Sequence, residues 1–277
     1  MVGKLQFLTK NDLGKQQVYT KYMSIKISIF YLILFSFLQI SAQEDKTTIK
    51  EADFIPSFSV FYAYEIPAGD LAIRFGNNHK VGAAFSIKFP NNWIVSLDAG
   101  YMFSENLNKE AYSILDGLKT EDGNITSKYG TPANIIMSER GYTVMFKGGK
   151  ILPFLQANIN SGPFIMAGIG FLQHKIRIDN ESNDTPQVSP EYRPGYDHLS
   201  YGVAFNQFVG YRLYAKNKMT NFYLGVEWTQ GLTKNRRGYN YNTMSPEDDL
   251  RLDILYSFKA GLIIPLVRRS PKDFYTY

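Results

Sequence analysis

The sequence predicts an all-β fold: eight antiparallel strands, connected up and down, that close into a barrel and cross a membrane. Three observations support this prediction. An export signal stands near the N terminus, eight segments alternate apolar with polar or small residues, and the connections between them are alternately short and long. The chain has 20 Tyr and 20 Phe but only 2 Trp, which favours strands and membrane-interface belts over helical bundles.

The N-terminal region is interpreted as an export signal preceded by an extension. We expect residues 1–22 to be a misassigned upstream extension and residues 23–42 to be a signal peptide, with a basic start at Lys26 and small residues at Ser41 and Ala42. Its apolar centre of roughly 12 residues is shorter than the ~20 that a membrane-spanning helix requires. The sequence therefore predicts a cleaved signal and a cell outer-membrane location.

Residues 43–277 form the predicted mature chain, with strands within about 56–266 and a short periplasmic tail at 267–277. The formal net charge is +5, and five Lys against one Asp in the first 42 residues account for +4, which leaves +1. Cleavage thus removes the basic excess that could have suggested a nucleic-acid partner. The chain has no Cys, which excludes a lipoprotein anchor, disulfides and thiolate metal sites.

Each predicted strand has one apolar face and one polar or small face. The strands lie in the segments 56–67, 80–89, 92–103, 141–149, 162–176, 200–214, 221–234 and 250–266. In chain order, their apolar faces include Phe58, Val60 and Tyr62; Val81, Phe85 and Ile87; Trp93, Val95 and Leu97; Tyr142, Val144 and Phe146; Ile165, Ile169 and Phe171; Val203, Phe205 and Val209; Leu224, Val226 and Trp228; and Ile254, Phe258 and Leu262. This alternation is typical of strands with lipid on one side and a barrel interior on the other.

The connections give a second test of the barrel. Short predicted connections at 90–92, 153–160 and 215–218 alternate with longer polar ones at 67–79, 104–140, 179–199 and 235–249. Outer-membrane barrels keep short turns in the periplasm and long loops outside. An even strand count then places both chain ends in the periplasm.

Charged residues fall on the inward parity of the predicted strands. Because a charge facing lipid near the midplane costs about 2 to 4 kcal/mol, Glu227 is expected to point into the barrel. The predicted network of inward charges comprises Glu65, Lys88, Asp98, Lys147, Arg212, Glu227, Arg251, Asp253 and Lys259. An eight-stranded barrel is too narrow for a water channel, so we expect these residues to pack as a salt-bridged plug, with Glu227 and Lys259 interacting.

The segment KAGLIIPL resembles the assembly signal of outer-membrane barrels, with Lys259, Gly261, Ile264 and Leu266 at the characteristic positions. Together with the ISAQ junction and the composition, it makes the chain similar to small OmpA/OmpX-type barrels of Bacteroidetes. The resemblance implies a monomeric barrel that meets the barrel assembly machinery, outer-membrane lipid and lipopolysaccharide. Such families normally end on an aromatic residue at this point, whereas this chain continues through VRRSPKDFYTY.

No catalytic, cofactor or metal-binding residues are predicted. His79, His174 and His198 lie at strand ends or in loops, where solvated histidines are expected, and His174 would approach Ser200 and Glu191 only if the loop folds back. The acidic clusters at 247–249 and 179–184 lack EF-hand spacing and are interpreted as solvated loops.

The predicted function is that of a non-enzymatic barrel with a structural, adhesion or surface-interaction role through its loops. Two alternatives remain open at this point. The protein could be a component of an envelope machine, such as type IX secretion or gliding, whose tail docks an envelope protein. It could instead be a lipid-modifying enzyme or a small porin.

Overall fold

The computed structural model describes residues 54–152, 154–180, 184–214 and 221–266. The predicted extension, signal peptide and C-terminal tail lie outside these ranges, so their assignments remain predictions.

Eight antiparallel strands form a closed barrel in which each strand pairs with its neighbours in sequence and β1 pairs with β8. The strands are β1 (Ile55–Gly69), β2 (Asn78–Lys88), β3 (Trp93–Ser104), β4 (Ile135–Ile151), β5 (Gly162–Asn180), β6 (Ser200–Leu213), β7 (Phe222–Asn235) and β8 (Leu250–Pro265). The predicted fold class and strand count are confirmed.

Two ends of the barrel differ in their connections. The end named here the turn end carries the connections 89–92, 152–161 and 214–221, and the opposite loop end carries 70–77, 105–134, 181–199 and 236–249. The predicted 104–140 loop is too long, because β4 begins at Ile135, and β5 extends to Asn180. Ser138, which is buried, and Arg140 are polar residues at the outward positions of the strand, so this part of β4 lacks the apolar alternation on which the prediction rested.

The predicted parity is confirmed on every strand: the apolar faces point outward, and their side chains are exposed or half-buried. Phe258 and Leu262 are each 62% exposed, and Phe146 is 57% exposed. An apolar surface that continues around a closed barrel exceeds what a soluble monomer normally exposes.

Aromatic rings border this apolar surface at both ends. Toward the loop end, neighbouring rings on the outer face include Tyr62, Tyr64, His79, Phe103, Tyr101 and Tyr142, followed by the pair Phe171 and Tyr201. Toward the turn end, the Lys150 ammonium lies 5.7 Å from the Trp93 ring centroid. Aromatic rings at the edges of an apolar band are typical of a membrane-spanning barrel.

The interior has three layers. Near the turn end an apolar layer contains Ile55, Phe61, Ala84, Ile94, Ile151, Phe164, Met166, Phe208, Tyr214, Tyr223 and Ile263. A charged layer follows, and toward the loop end a second apolar cluster joins strand residues such as Met102 and Leu172 to loop residues such as Phe75 and Ile114. Salt-bridged side chains therefore fill only the middle of the interior, because large apolar side chains occupy the inward positions on both sides of them.

Short helices cover the loop end. Helix α1 (Leu71–Arg74) and helix α2 (Lys109–Ser113) contribute Leu71 and Ala111 to the second apolar cluster, and both side chains are fully buried. We name the connections at the loop end, folded over this cluster, the cap. Within the described ranges, no helix has the length and hydrophobicity needed to cross a membrane.

Candidate functional site

The charged layer is an alternating network of three carboxylates and three lysines. Glu227 is its centre: Lys80 Nζ donates to Oε1 at 3.0 Å, and Lys147 and Lys259 donate to Oε2 at 2.9 and 3.1 Å. The other carboxylates are Asp98 and Glu65. All six side chains are nearly inaccessible to solvent, so this layer buries three positive and three negative side chains.

Each lysine of the network bridges two carboxylates. Lys147 and Lys259 approach Asp98 Oδ2 at 2.5 and 2.9 Å, which closes a ring of four charges with Glu227. Lys80 extends the chain to Glu65 Oε1 at 2.6 Å. Because every charge has at least one opposite partner, the desolvation penalty of burying the network is offset by pairing.

Small residues make room for these long side chains. A Cβ on Gly168 would lie 2.6 Å from Lys147 Cγ, and a Cβ on Gly261 would lie 2.4 Å from the Tyr223 ring. Since Cβ contacts below 3.0 Å essentially never occur, any larger residue at either position would force a neighbouring group to shift. Gly261 of the predicted assembly signal thus has a packing role within the barrel.

The remaining assembly-signal residues divide between the two faces of β8. Lys259 belongs to the charged network inside, whereas Ile264 and Leu266 are outward and 55% exposed. Recognition of this segment by the barrel assembly machinery remains a prediction.

Two members of the predicted network, Lys88 and Arg212, lie outside the six-residue network, toward the turn end. Lys88 Nζ donates to Asn160 Oδ1 at 2.9 Å. Arg212 Nη2 donates to Ser86 Oγ at 2.8 Å, and its guanidinium lies 5.3 Å from the Tyr214 ring centroid. A cavity of ≈ 20 Å³ separates Arg212 from the charged layer and has room for about one water molecule.

Arg251 and Asp253 belong instead to a cluster beneath the cap. Asp253 accepts hydrogen bonds from the Thr233 hydroxyl and from His174, whose Nε2 is 2.7 Å from Oδ2. His174 is fully buried, so the expectation of a solvated histidine is wrong. Its proximity to Ser200 is a cross-strand pairing of β5 with β6.

Glu247 connects several parts of the cap. Its Oε1 accepts from Arg74 Nη2 at 2.6 Å, and its Oε2 accepts from Asn235 and Asn240 at 2.8 and 2.7 Å. His198 Nδ1 is 2.9 Å from Oε2. Interpreting residues 247–249 as a wholly solvated cluster, and His198 as a solvated histidine, was therefore wrong.

These contacts change the acidity of Glu247. Burial would raise its pKa, but the hydrogen bond with His198, the positive charge of Arg74 and the hydrogen bond from Asn235 together hold the pKa of the carboxyl far below its usual 4.5. The carboxylate is therefore the stable form at neutral pH, and it holds α1 and the 181–199 and 236–249 connections together.

Two inward charges that the structure brings into these clusters were not predicted from the sequence. Lys80 has inward parity but is the first residue of its predicted segment, and Glu139 precedes the predicted start of β4. Asn78 Nδ2 donates to both Glu139 carboxylate oxygens at 3.1 Å. The alternation along β2 already placed Lys80 on the inward face. Glu139 could be placed there only once β4 was known to begin before residue 141.

The cap presents a tyrosine patch formed by Tyr192, Tyr196, Tyr239 and Tyr241. The ring centroids of Tyr196 and Tyr241 are 5.4 Å apart, and Tyr192 and Tyr239 are 50% and 44% exposed. Tyr241 N donates to Gly195 O at 2.9 Å, which joins the two connections that carry the patch. The rings are thus held on a structured surface.

The His174–Asp253 pair resembles part of a catalytic arrangement, but both side chains are fully buried beneath the cap. A substrate would have to displace that cap to reach the imidazole. Among the described residues, no group of three or more His, Asp or Glu is arranged to hold a metal ion.

The fold and its filled interior define a small closed β-barrel. No family model matches the chain, and no curated protein matches it in sequence. Neisserial surface protein A is a solved structure similar to this one, with 8% identity, a TM-score of 0.44, and coverage of 76% of this chain and 96% of that chain.

Ail, the attachment invasion locus protein of Yersinia pestis, is also similar. Its structure in complex with the heparin analogue sucrose octasulfate has 12% identity and a TM-score of 0.38, and covers 76% of this chain and 99% of Ail. The structure of Ail without the analogue has 11% identity to this chain and a TM-score of 0.38, with the same coverage of both chains. At such identities and TM-scores, no function is transferred to this chain.

Proposed function

We propose that the protein is a non-enzymatic integral outer-membrane barrel whose cap mediates interactions at the cell surface. The observation that carries this proposal is the combination of a lipid-compatible outer face, a filled interior and a structured cap with exposed tyrosines. The turn end then faces the periplasm and the loop end faces the exterior.

A filled lumen argues against a porin. The charged layer has equal numbers of positive and negative side chains and lies between two clusters of buried apolar side chains, so a hydrated ion entering from either end would have to shed water to pass them. A transport role would require the interior to rearrange.

The tyrosine patch suits a binding surface. Tyrosine provides a large amphipathic contact area at low conformational cost, which is why it is enriched in binding surfaces. The hydrogen bond between Tyr241 and Gly195 fixes part of the patch before any partner arrives. Preorganisation of this kind favours binding.

Single cysteines test the orientation, because the chain has none of its own. Met244→Cys in the cap and Leu155→Cys at the turn end form a matched pair, since both native side chains are 73% exposed. A membrane-impermeant maleimide should label Met244→Cys on intact cells and Leu155→Cys only after permeabilisation. The reverse pattern would refute the orientation.

Photocrosslinking tests the surface-interaction role. A photoreactive aromatic residue at Tyr192 in the patch should give adducts on intact cells, whereas the same residue at Tyr112, elsewhere in the cap, should not. The two side chains are matched in exposure, at 50% and 48%. Equal adduct formation at both sites, or none at Tyr192, would contradict a role for the patch.

A further inference from the structure

Five basic residues lie together on the outer face of one side of the barrel, near the loop end. This basic strip comprises Arg140 on β4, Lys175 and Arg177 on β5, Lys234 on β7 and Arg236 directly after β7. The function proposed above does not use these side chains.

The strand register sets like charges against each other within the strip. Arg140 is the direct cross-strand partner of Lys175, and Arg177 is the next outward residue on β5. Like charges directly opposite on neighbouring strands destabilise a sheet. A negative group bound between Arg140 and Lys175 would remove this penalty.

The protein supplies only part of the required counter-charge. Arg177 Nε lies 2.8 Å from Asp179 Oδ2, and Lys234 Nζ lies 3.2 Å from Asp248 Oδ1. Across the described ranges, no acidic side chain forms an ion pair with Arg140, Lys175 or Arg236. The strip therefore keeps a positive excess.

The depth of the strip matches the expected position of lipid headgroups. Arg140 lies one outward step beyond Tyr142 of the aromatic belt, and the Arg236 guanidinium lies 4.6 Å from the centroid of the Tyr201 ring. Tyrosines in such belts lie at the level of the headgroups. The basic groups directly beyond them would then meet lipid phosphates of the outer leaflet.

We propose that the basic strip binds the phosphate groups of an anionic glycolipid in the outer leaflet, with Arg140 and Lys175 forming its centre. The strip extends across four neighbouring strands, about 14 Å, which accommodates more than one phosphate. Arginine can bind a phosphate through two parallel hydrogen bonds, and lysine supplies a point charge. This assignment depends on the proposed orientation in the outer membrane.

Binding of bisphosphorylated lipid A to the folded protein in zwitterionic micelles tests the proposal. The variant Arg140→Gln/Lys175→Gln should bind about 25-fold more weakly, at roughly fivefold per charge removed. Lys119→Gln/Lys150→Gln removes two charges elsewhere and should bind like the wild type. Dephosphorylated lipid A should bind the wild type at least as weakly as the intact lipid binds the first variant, because it offers no phosphate to any of the five basic residues.

Competition experiments with soluble anions show whether the strip prefers the phosphates of a lipid to other negatively charged groups. Inorganic phosphate that competes as effectively as the lipid would overturn the lipid assignment, as would equal displacement by a soluble heparin fragment. Equal lipid affinity in the two double variants would also overturn the proposal.

If Arg140→Gln/Lys175→Gln does not fold, Lys175→Gln alone should show the fivefold loss, and unchanged binding would refute the assignment. Cysteine labelling reports failure of the orientation separately.

Discussion

Removing the charge of Glu227 should destabilise the barrel, and removing the charge of Lys259 as well should restore part of the loss. The change Glu227→Gln leaves three lysines facing two carboxylates, Glu65 and Asp98. A contact at 3 Å is worth about 5 kcal/mol at an effective dielectric of 20, an upper bound before desolvation. Breaking a buried pair by removing one partner costs about 3 to 5 kcal/mol, and we expect a loss in this range.

The double variant Glu227→Gln/Lys259→Met leaves two complete pairs. Lys80 remains 2.6 Å from Glu65, and Lys147 remains 2.5 Å from Asp98. The combined loss of unfolding free energy should therefore be smaller than the sum of the single losses by about 1 to 3 kcal/mol.

Urea unfolding in detergent micelles, followed by Trp fluorescence, measures these free energies. Arg237→Met is a suitable control, because Arg237 pairs with Asp197 in the cap. Combined with Glu227→Gln, it should be additive to within ~0.5 kcal/mol. The same additivity for Glu227→Gln and Lys259→Met would refute the inferred coupling across the network.

Three further outcomes are expected. N-terminal sequencing of protein from the outer-membrane fraction should begin at Gln43, and recovery of the full-length chain in the cytosol would contradict export. On a gel, unboiled protein should migrate faster than boiled protein, since a closed barrel resists unfolding by detergent, and identical migration would argue against closure. Glu247→Gln should lower the free energy needed to open the cap by about 1 to 3 kcal/mol at pH 7. Hydrogen exchange of the cap amides measures this free energy. Because the folded pKa of Glu247 lies below 4.5, its contribution in the wild type should be complete above that pH and lost as the pH falls through the folded pKa. A cap whose opening responds to neither change would show that Glu247 does not hold the cap together.

The sequence alone predicted the features of the fold that depend on the alternation of side chains between the two faces of a strand. Side chains alternate along a strand, so the parity of Glu227 and Lys259 could be determined without a structure. The extent of β4 could not, because Ser138 and Arg140 beyond the apolar band do not alternate in hydrophobicity. The inward position of Glu139 was missed for this reason.

The contacts within the site depend on closure and register, which parity does not determine. Lys80 on β2 and Glu227 on β7 are 147 residues apart and meet only across the lumen. Glu247 and His198 meet because two connections fold over the barrel end, and no periodic pattern marks such contacts. Most of the inward charges were thus predictable from parity, but their division into separate clusters was not.

Conductance measurements in a planar lipid bilayer show whether the barrel is closed and its interior filled. Protein whose folding has been verified by its gel shift is inserted, and the current is recorded under an applied voltage. Because the charged layer is neutral, buried and covered by apolar layers on both sides, we predict no steady single-channel conductance. A large, steady conductance would show that the interior is open and would contradict the account.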